Sequence, residues 1–369
     1  MDHIDSPILP VSSDITPEDA LREPHPATMT RPVAPAQIHD DRTVTFRVQA
    51  PDTAMAELHL RNQNPDTFPM HRGADGVWEV TVGPLDAEIY EYGFLIAGAM
   101  FNTGSLAIPG SPPRHYELLD VPHGELVLHI YYSKVQQRHR RLHVYVPPSY
   151  RQGEDERFPV LYLFPANTED EWVRLGRAQN TLDNGIAEGK IRPAIVVMPN
   201  NEVGPRPVAA LENAAVMERE LIEEIMPFIE NRYRTLPGRE HRAIAGLSFG
   251  AGTAFIVGMR HLAHFAYLGE FSTGLFGGAQ TKPWNVGYAA YDPGKVAPDL
   301  YDSVSRDGTR LRLLYMSVGS QDPRAPYQRQ VLSTFEAHGF EPVFKTFKGA
   351  HDWKVFSNSL ADFAQRLFR

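Results

Sequence analysis

Hydrophobic and polar positions change rhythm along the chain. From about residue 36 to 122 short stretches alternate with period two: Thr43-Val44-Thr45-Phe46-Arg47-Val48, Ala56-Glu57-Leu58-His59-Leu60, Val77-Trp78-Glu79-Val80-Thr81-Val82 and Ile89 to Ile96. Turn signals such as Gly73-Ala74-Asp75-Gly76 separate them. Alternation turns one face of each strand inward, and this spacing predicts an all-β sandwich of immunoglobulin-like size. From about residue 123 the apolar runs become continuous, as in Leu161-Tyr162-Leu163-Phe164 and Ala194-Ile195-Val196-Val197-Met198. Such runs predict parallel strands buried on both faces. Glu218 to Arg232 instead sets Leu221, Ile222, Ile225, Phe228 and Ile229 on one helical stripe. Strands alternating with helices imply an α/β architecture over 123–369. Residues 1 to about 35, rich in proline, acid and small polar residues, read as an extended or disordered arm.

One turn carries chemistry. The short apolar run Ala243-Ile244-Ala245 leads into Gly246-Leu247-Ser248-Phe249-Gly250, and small, helix-compatible residues follow. This is the strand, sharp turn and helix that a nucleophile elbow requires. The flanking glycines let the backbone fold tightly enough to expose the serine hydroxyl at the start of a helix. By itself the pattern would arise in roughly one chain in eight of this length.

A serine hydroxyl needs a base, and the base needs an orienting acid. In hydrolases with this elbow the order is Ser, then Asp or Glu, then His. The strand reading of Leu311 to Val318 ends in Gly319-Ser320-Gln321-Asp322, and that of Pro342 to Phe347 ends in Lys348-Gly349-Ala350-His351. Asp322 and His351 therefore stand at the carboxyl tips of strands, where loops build the site of an open α/β sheet. Asp322 also has a turn-capping reading, and Asp292, Asp299 and Glu270 are rival third members. His261, His264 and His338 fall in or beside expected helices, and His241 precedes the elbow strand at its wrong end. Asp352 adjoins His351, but consecutive side chains point apart.

Composition narrows the partners. At 369 residues and 42% hydrophobic content the chain can build two cores. A net charge of −9 and a pI near 5.9 argue against nucleic acid or an anionic membrane as partner. Cysteine is absent, which excludes disulfides, thiolate metal sites and a cysteine nucleophile. No basic start with an apolar core marks a signal peptide and no apolar run would cross a bilayer, so a cytoplasmic location is expected, or a secreted or periplasmic one if a natural signal has been removed. His139 and His143 have the spacing of a helical zinc pair. However, Leu142-His143-Val144-Tyr145-Val146 reads as a strand, where positions four apart lie roughly 13 Å from each other. No metal or cofactor is expected.

Several segments together resemble a known family. They are Leu182 to Pro193, Val196-Val197-Met198-Pro199-Asn200, Pro227-Phe228-Ile229-Glu230, Arg242 to Ser248 and His351-Asp352-Trp353-Lys354-Val355. They are similar to the putative esterase family, which includes the feruloyl and acetyl-xylan esterases of carbohydrate esterase family 1, enterochelin esterases, S-formylglutathione hydrolases and mycolyltransferases. The resemblance runs from about residue 124 to the end and implies an α/β-hydrolase fold. Asp75-Gly76-Val77-Trp78, Gly83-Pro84-Leu85 and Tyr90-Glu91-Tyr92 resemble the early-set, glycogen-binding-like module often fused to feruloyl esterases.

The resemblance implies Ser248 as nucleophile, Asp322 as acid and His351 as base. It also implies an oxyanion hole made by the Phe249 N–H and a donor near Ala166 or Asn167. Family members carry His-Gly and further glycines after the Leu161–Phe164 strand. This chain reads Pro165-Ala166-Asn167-Thr168-Glu169-Asp170-Glu171-Trp172, about two residues shorter. In the sandwich, Ala97-Gly98 and Phe101-Asn102-Thr103-Gly104 replace the module's usual residues, so a packing, site-shaping or dimer role is expected there over glycan binding. Trp284, Tyr288 and Tyr291 lie in a Gly-rich insertion that could form an aromatic cap or simply pin its loop. Trp172 and Trp353 read as packing residues, while Lys282, Arg324 and Arg329 read as solvated charges or partners for a substrate carboxylate. The implied activity is hydrolysis of hydroxycinnamoyl or acetyl esters of plant polysaccharide fragments. Alternatives are a siderophore-type or short-chain esterase, an acyltransferase, or a carbohydrate-binding protein with impaired catalysis.

Overall fold

A computed structural model describes residues 31–369 apart from 33–34, 51–52, 154, 205–209, 274–292, 297–299 and 305–309. The chain divides into two compact units. The first comprises the described residues up to Leu60 with Pro65–Leu85 and Tyr92–Thr103; the second comprises Arg61–Asn64, Asp86–Glu91 and Gly104–Arg369. This division departs from a simple boundary near residue 122. Two short pieces and the stretch from Gly104 onward, all within the strand-rich region, make their contacts with the larger unit.

The first unit is built from two antiparallel sheets. One contains β1 (Arg31–Pro32), β2 (Gln37–Ile38), β3 (Val44–Gln49), β6 (His71–Arg72) and β7 (Val77–Val82). The other runs β5 (Thr67–Pro69), β4 (Ala56–Leu60), β8 (Ile89–Ile96) and β9 (Ala99–Ala107), the last two strands continuing into the larger unit. The alternation in the sequence does what it predicts: Val44, Phe46, Val48, Leu58, Leu60 and Phe94 are buried. The Phe46 and Tyr92 rings meet edge to face at 4.9 Å, joining the two layers. Trp78 donates its indole N–H to the Ala50 carbonyl and so satisfies its one polar atom inside the core.

The larger unit is a mostly parallel eight-stranded sheet. Its strands are β10 (Glu125–Ser133), β11 (Arg138–Val146), β12 (Val160–Phe164), β13 (Ile195–Pro199), β14 (Arg242–Leu247), β15 (Tyr267–Phe271), β16 (Leu313–Gly319) and β17 (Val343–Phe347), in the order β10-β11-β13-β12-β14-β15-β16-β17. The pairs β10–β11 and β11–β13 are antiparallel, and the remaining pairs are parallel. Helices α1 (Glu171–Arg174), α2 (Ala178–Ala187), α3 (Ala210–Glu220), α4 (Met226–Arg232), α5 (Ser248–Arg260), α6 (Pro293–Val296), α7 (Ala325–Ala337) and α8 (Trp353–Ala364) complete it. Continuous apolar strands serve two cores at once. Val160, Tyr162 and Phe164 of β12 join the cluster that holds Phe255 of α5 and Phe335 of α7. Leu161 and Leu163 join the opposite cluster, with Trp172, Leu182 and Phe363. His139 and His143 both lie on strand β11, as the sequence reading requires.

The amphipathic helix expected from Glu218 to Arg232 is not uniform. Leu221–Ile225 forms a π-helical turn between α3 and α4. Pro227 explains it, because proline has no N–H to donate and its ring clashes with the carbonyl four residues back. Among the described residues no helix is long and apolar enough to cross a membrane.

Candidate active site

Strand β14 ends at Leu247, and Ser248 opens helix α5 with φ at 52°, a left-handed conformation that is costly for a residue with a side chain. Both glycines of the elbow are sterically required. A Cβ at Gly246 would lie 2.4 Å from the Gly250 carbonyl oxygen, and one at Gly250 would lie 2.1 Å from that of Pro165. The turn therefore brings the serine backbone tight against its own helix and against the loop that follows β12.

Two other strands deliver the partners. Asp322 lies just after β16 and His351 just after β17. The two loops are tied together, since Ser320 N–H donates to the Phe347 carbonyl at 2.7 Å and Gln321 N–H to that of Gly349 at 2.8 Å. The Ser248 hydroxyl lies 2.9 Å from His351 Nε2, and His351 Nδ1 lies 2.8 Å from Asp322 Oδ2. With Nδ1 carrying the proton, Nε2 is left as an acceptor facing the serine. The second oxygen of Asp322 accepts from the Arg324 backbone at 2.9 Å and from its guanidinium at 3.1 Å. Burial works to raise the Asp322 carboxyl, but the His351 hydrogen bond and the His351 and Arg324 charges outweigh it and hold it below the usual carboxylate range. Burial, aided by the charges of Arg324 and Arg61, keeps His351 below the ordinary histidine value against the pull of Asp322.

Of the rival acids only Glu270 lies among the described residues. Asp292 and Asp299 lie outside the described residues, as do Lys282, Trp284, Tyr288 and Tyr291. Glu270 is fully buried on β15 with neither oxygen hydrogen-bonded among the described residues, and burial pushes its carboxyl up to about 8. Asp352 caps α8 by accepting from Val355 N–H at 3.2 Å, which turns it away from His351's ring. Trp172 and Trp353 are buried and meet edge to face at 5.5 Å. Arg329 stands over the Phe344 ring.

The other wall of the site is the loop after β12. Phe249 lies in the first turn of α5, where backbone N–H groups have no acceptor within the helix. Ala166 and Asn167, the two positions expected to add a donor, direct theirs elsewhere. Both backbone N–H groups go to Glu171 Oε2, at 2.9 and 3.2 Å, and the Asn167 side-chain amide donates to Glu171 Oε1 at 2.9 Å. On the loop's other flank, Asn201 donates to the Ala166 carbonyl from its side chain and to the Asn167 carbonyl from its backbone. The Thr253 hydroxyl of α5 in turn donates to Asn201 at 3.1 Å. Sequence reading gave no role to Glu171, Asn201 or Thr253, nor to Asn62, whose side-chain amide donates to the His351 carbonyl at 3.3 Å. The one available signal was Glu171, an acid following Asn167 by a helical turn.

The family model described as "Putative esterase" matches residues 133–367. The endo-1,4-beta-xylanase/feruloyl esterase of Xylanibacter ruminicola is 27% identical over 90% of this chain and 46% of its own length. An esterase of Mycobacterium tuberculosis is 31% identical over 34% of this chain and 27% of its own length. The chain thus spans less than half the length of these curated relatives. Among solved structures, a ferulic acid esterase of Anaeromyces mucronatus in complex with ferulic acid aligns with a TM-score of 0.56 at 23% identity, covering 68% of this chain and 93% of that one. The enterobactin esterase of Shigella flexneri aligns with a TM-score of 0.63 at 15% identity over 90% of this chain and 96% of that one. At these identities the structural likeness establishes the α/β-hydrolase-type fold.

Proposed function

The chain belongs to the putative esterase family, and from that premise we propose that it is a serine carboxylic-ester hydrolase working through Ser248, His351 and Asp322. The observation that carries this reading is the hydrogen-bonded line from the Ser248 hydroxyl through His351 to Asp322, at 2.9 and 2.8 Å, with the serine held on its left-handed elbow. Ser248 Oγ attacks the ester carbonyl carbon while its proton passes to His351 Nε2. Asp322 holds the imidazole in the productive tautomer and stabilises the imidazolium. The Phe249 N–H meets the oxyanion of the tetrahedral intermediate. His351 then protonates the departing alcohol, and water, activated by the same histidine, releases the acid from Ser248.

The substrates we propose are hydroxycinnamoyl or acetyl esters of plant polysaccharide fragments. The relative that is similar over most of this chain is named a xylanase/feruloyl esterase, and ferulic acid esterases share the fold. We read the two antiparallel sheets of the first unit as an immunoglobulin-like sandwich. The test is hydrolysis of p-nitrophenyl acetate, methyl ferulate and a feruloylated arabinoxylan oligomer by the wild type and Ser248→Ala. Turnover lost in the variant supports the reading, and the ratio of ferulate to acetate rates identifies the acyl group. A folded wild type inert on all three overturns it.

A further inference from the structure

The Pro165–Glu171 loop holds an anion of its own. Three N–H donors, two from the backbone and one from the Asn167 amide, converge on the single carboxylate of Glu171 at 2.9 to 3.2 Å. Backbone N–H groups converging on a negative oxygen are what an oxyanion hole offers its tetrahedral intermediate. Pro165, at the start of the loop, has no N–H to contribute. The loop is also fixed from behind by Asn201, which takes both the Ala166 and Asn167 carbonyls and is itself tied to Thr253 of the nucleophile's helix. The Ala166–Asn167 peptide, its carbonyl anchored in this way, cannot turn the Asn167 N–H toward the reacting carbonyl while Glu171 keeps its grip; the Ala166 N–H, on the Pro165 peptide, is held by Glu171. Burial raises the Glu171 carboxyl, while hydrogen bonds from the Asn167 side chain and from the Asn167, Ala166 and Thr168 backbones pull the other way, toward its ionised form.

We propose that Glu171 is a positioning residue that competes with the substrate's oxyanion for the N–H groups of Ala166 and Asn167. This rests on the esterase reading above. While the Glu171 carboxylate holds both backbone donors, the intermediate meets the Phe249 N–H alone. The full donor set assembles only when the loop gives up Glu171. The family's Gly-rich loop is replaced here by one whose donors are already occupied, so the step most affected is the one in which negative charge develops on the carbonyl oxygen. Substrate binding, which precedes that charge, is left nearly untouched.

The test is the kinetics of Glu171→Gln on p-nitrophenyl acetate. A neutral amide oxygen is a weaker acceptor than a carboxylate, so the variant releases the donors without removing the side chain. One oxyanion donor is typically worth 10²–10³ in rate, and partial recovery predicts a rise in kcat of about tenfold with KM unchanged. A role confined to holding the loop in shape predicts the opposite, a fall in kcat. Should Glu171→Gln fail to fold, Asn167→Ala carries the test. It removes one of the three ties on the carboxylate, with a smaller rise in kcat expected. An unchanged or lower kcat in a folded variant overturns the proposal. Each variant is paired with Ser248→Ala to separate the two readings. Turnover that survives the loss of Ser248 defeats the esterase reading itself, whereas serine-dependent turnover with no gain in Glu171→Gln defeats only the role of Glu171.

Discussion

On one side of Ser248, the groups proposed to attack and move a proton are joined by side-chain hydrogen bonds of 2.9 and 2.8 Å, each aimed at the next. On the other side, the loop after β12 spends its N–H groups on Glu171 and its carbonyls on Asn201. The first wall is aligned side chain to side chain; the second is closed on itself. The difference follows from where the chain places its constraints. The elbow, the Asp322 loop and the His351 loop hang from β14, β16 and β17, parallel strands joined in one sheet through β15, whose register fixes them. The loop after β12 is set instead by Glu171 of α1 and by Asn201 from the turn after β13, itself held by Thr253 of α5.

The comparison breaks most sharply at the first wall. Ser248→Ala should lower kcat by roughly 10⁴-fold or more, and Asp322→Asn by about 10⁴-fold through loss of the imidazole's orientation, both read on p-nitrophenyl acetate. Glu270→Gln should leave activity in place, since Glu270 makes no hydrogen bond within the site. It should instead change stability. In the folded state the Glu270 carboxyl keeps its proton up to about 8, against an ordinary 4.5. Between those values the unfolded chain binds fewer protons, so this group makes the wild type less stable as pH rises through that window. Urea denaturation at pH 9 should show Glu270→Gln more stable than wild type by on the order of 5 kcal/mol, with the gain vanishing near pH 4.

The pH–rate profile sharpens the account further. The acid limb of kcat/KM reports the base in the free enzyme. Because burial lowers the His351 value, the neutral base persists into mild acid, and the limb should fall below pH 6.5. A limb above that value would mean that Asp322, not burial, dominates. The smallest effect is expected behind the second wall. Thr253→Val leaves the Asn201 side-chain oxygen without that donor and should cost about 1–2 kcal/mol in denaturant unfolding.

What the sequence made legible follows the same division. The elbow could be read because glycine is obligatory at two positions around a strained serine. Asp322 and His351 could be read because apolar runs long enough to be strands end just before them. The loop could not be read, because the direction in which a backbone N–H points depends on Glu171 and Asn201 arriving from other elements. The π-helical turn before Pro227 also escaped the periodicity, since the apolar stripe continues across it. The assignment of Arg61–Asn64 and Asp86–Glu91 to the larger unit rests on contacts distant in sequence, such as Asn62 with His351. No local pattern encodes those.

The most direct measurement of the central claim is the intact mass of the protein after treatment with diethyl p-nitrophenyl phosphate, followed by peptide mapping. The account predicts one diethylphosphoryl group per chain, located on Ser248 and absent from Ser248→Ala. Labelling at another residue, or a wild type that hydrolyses esters yet takes up no label at Ser248, would contradict it.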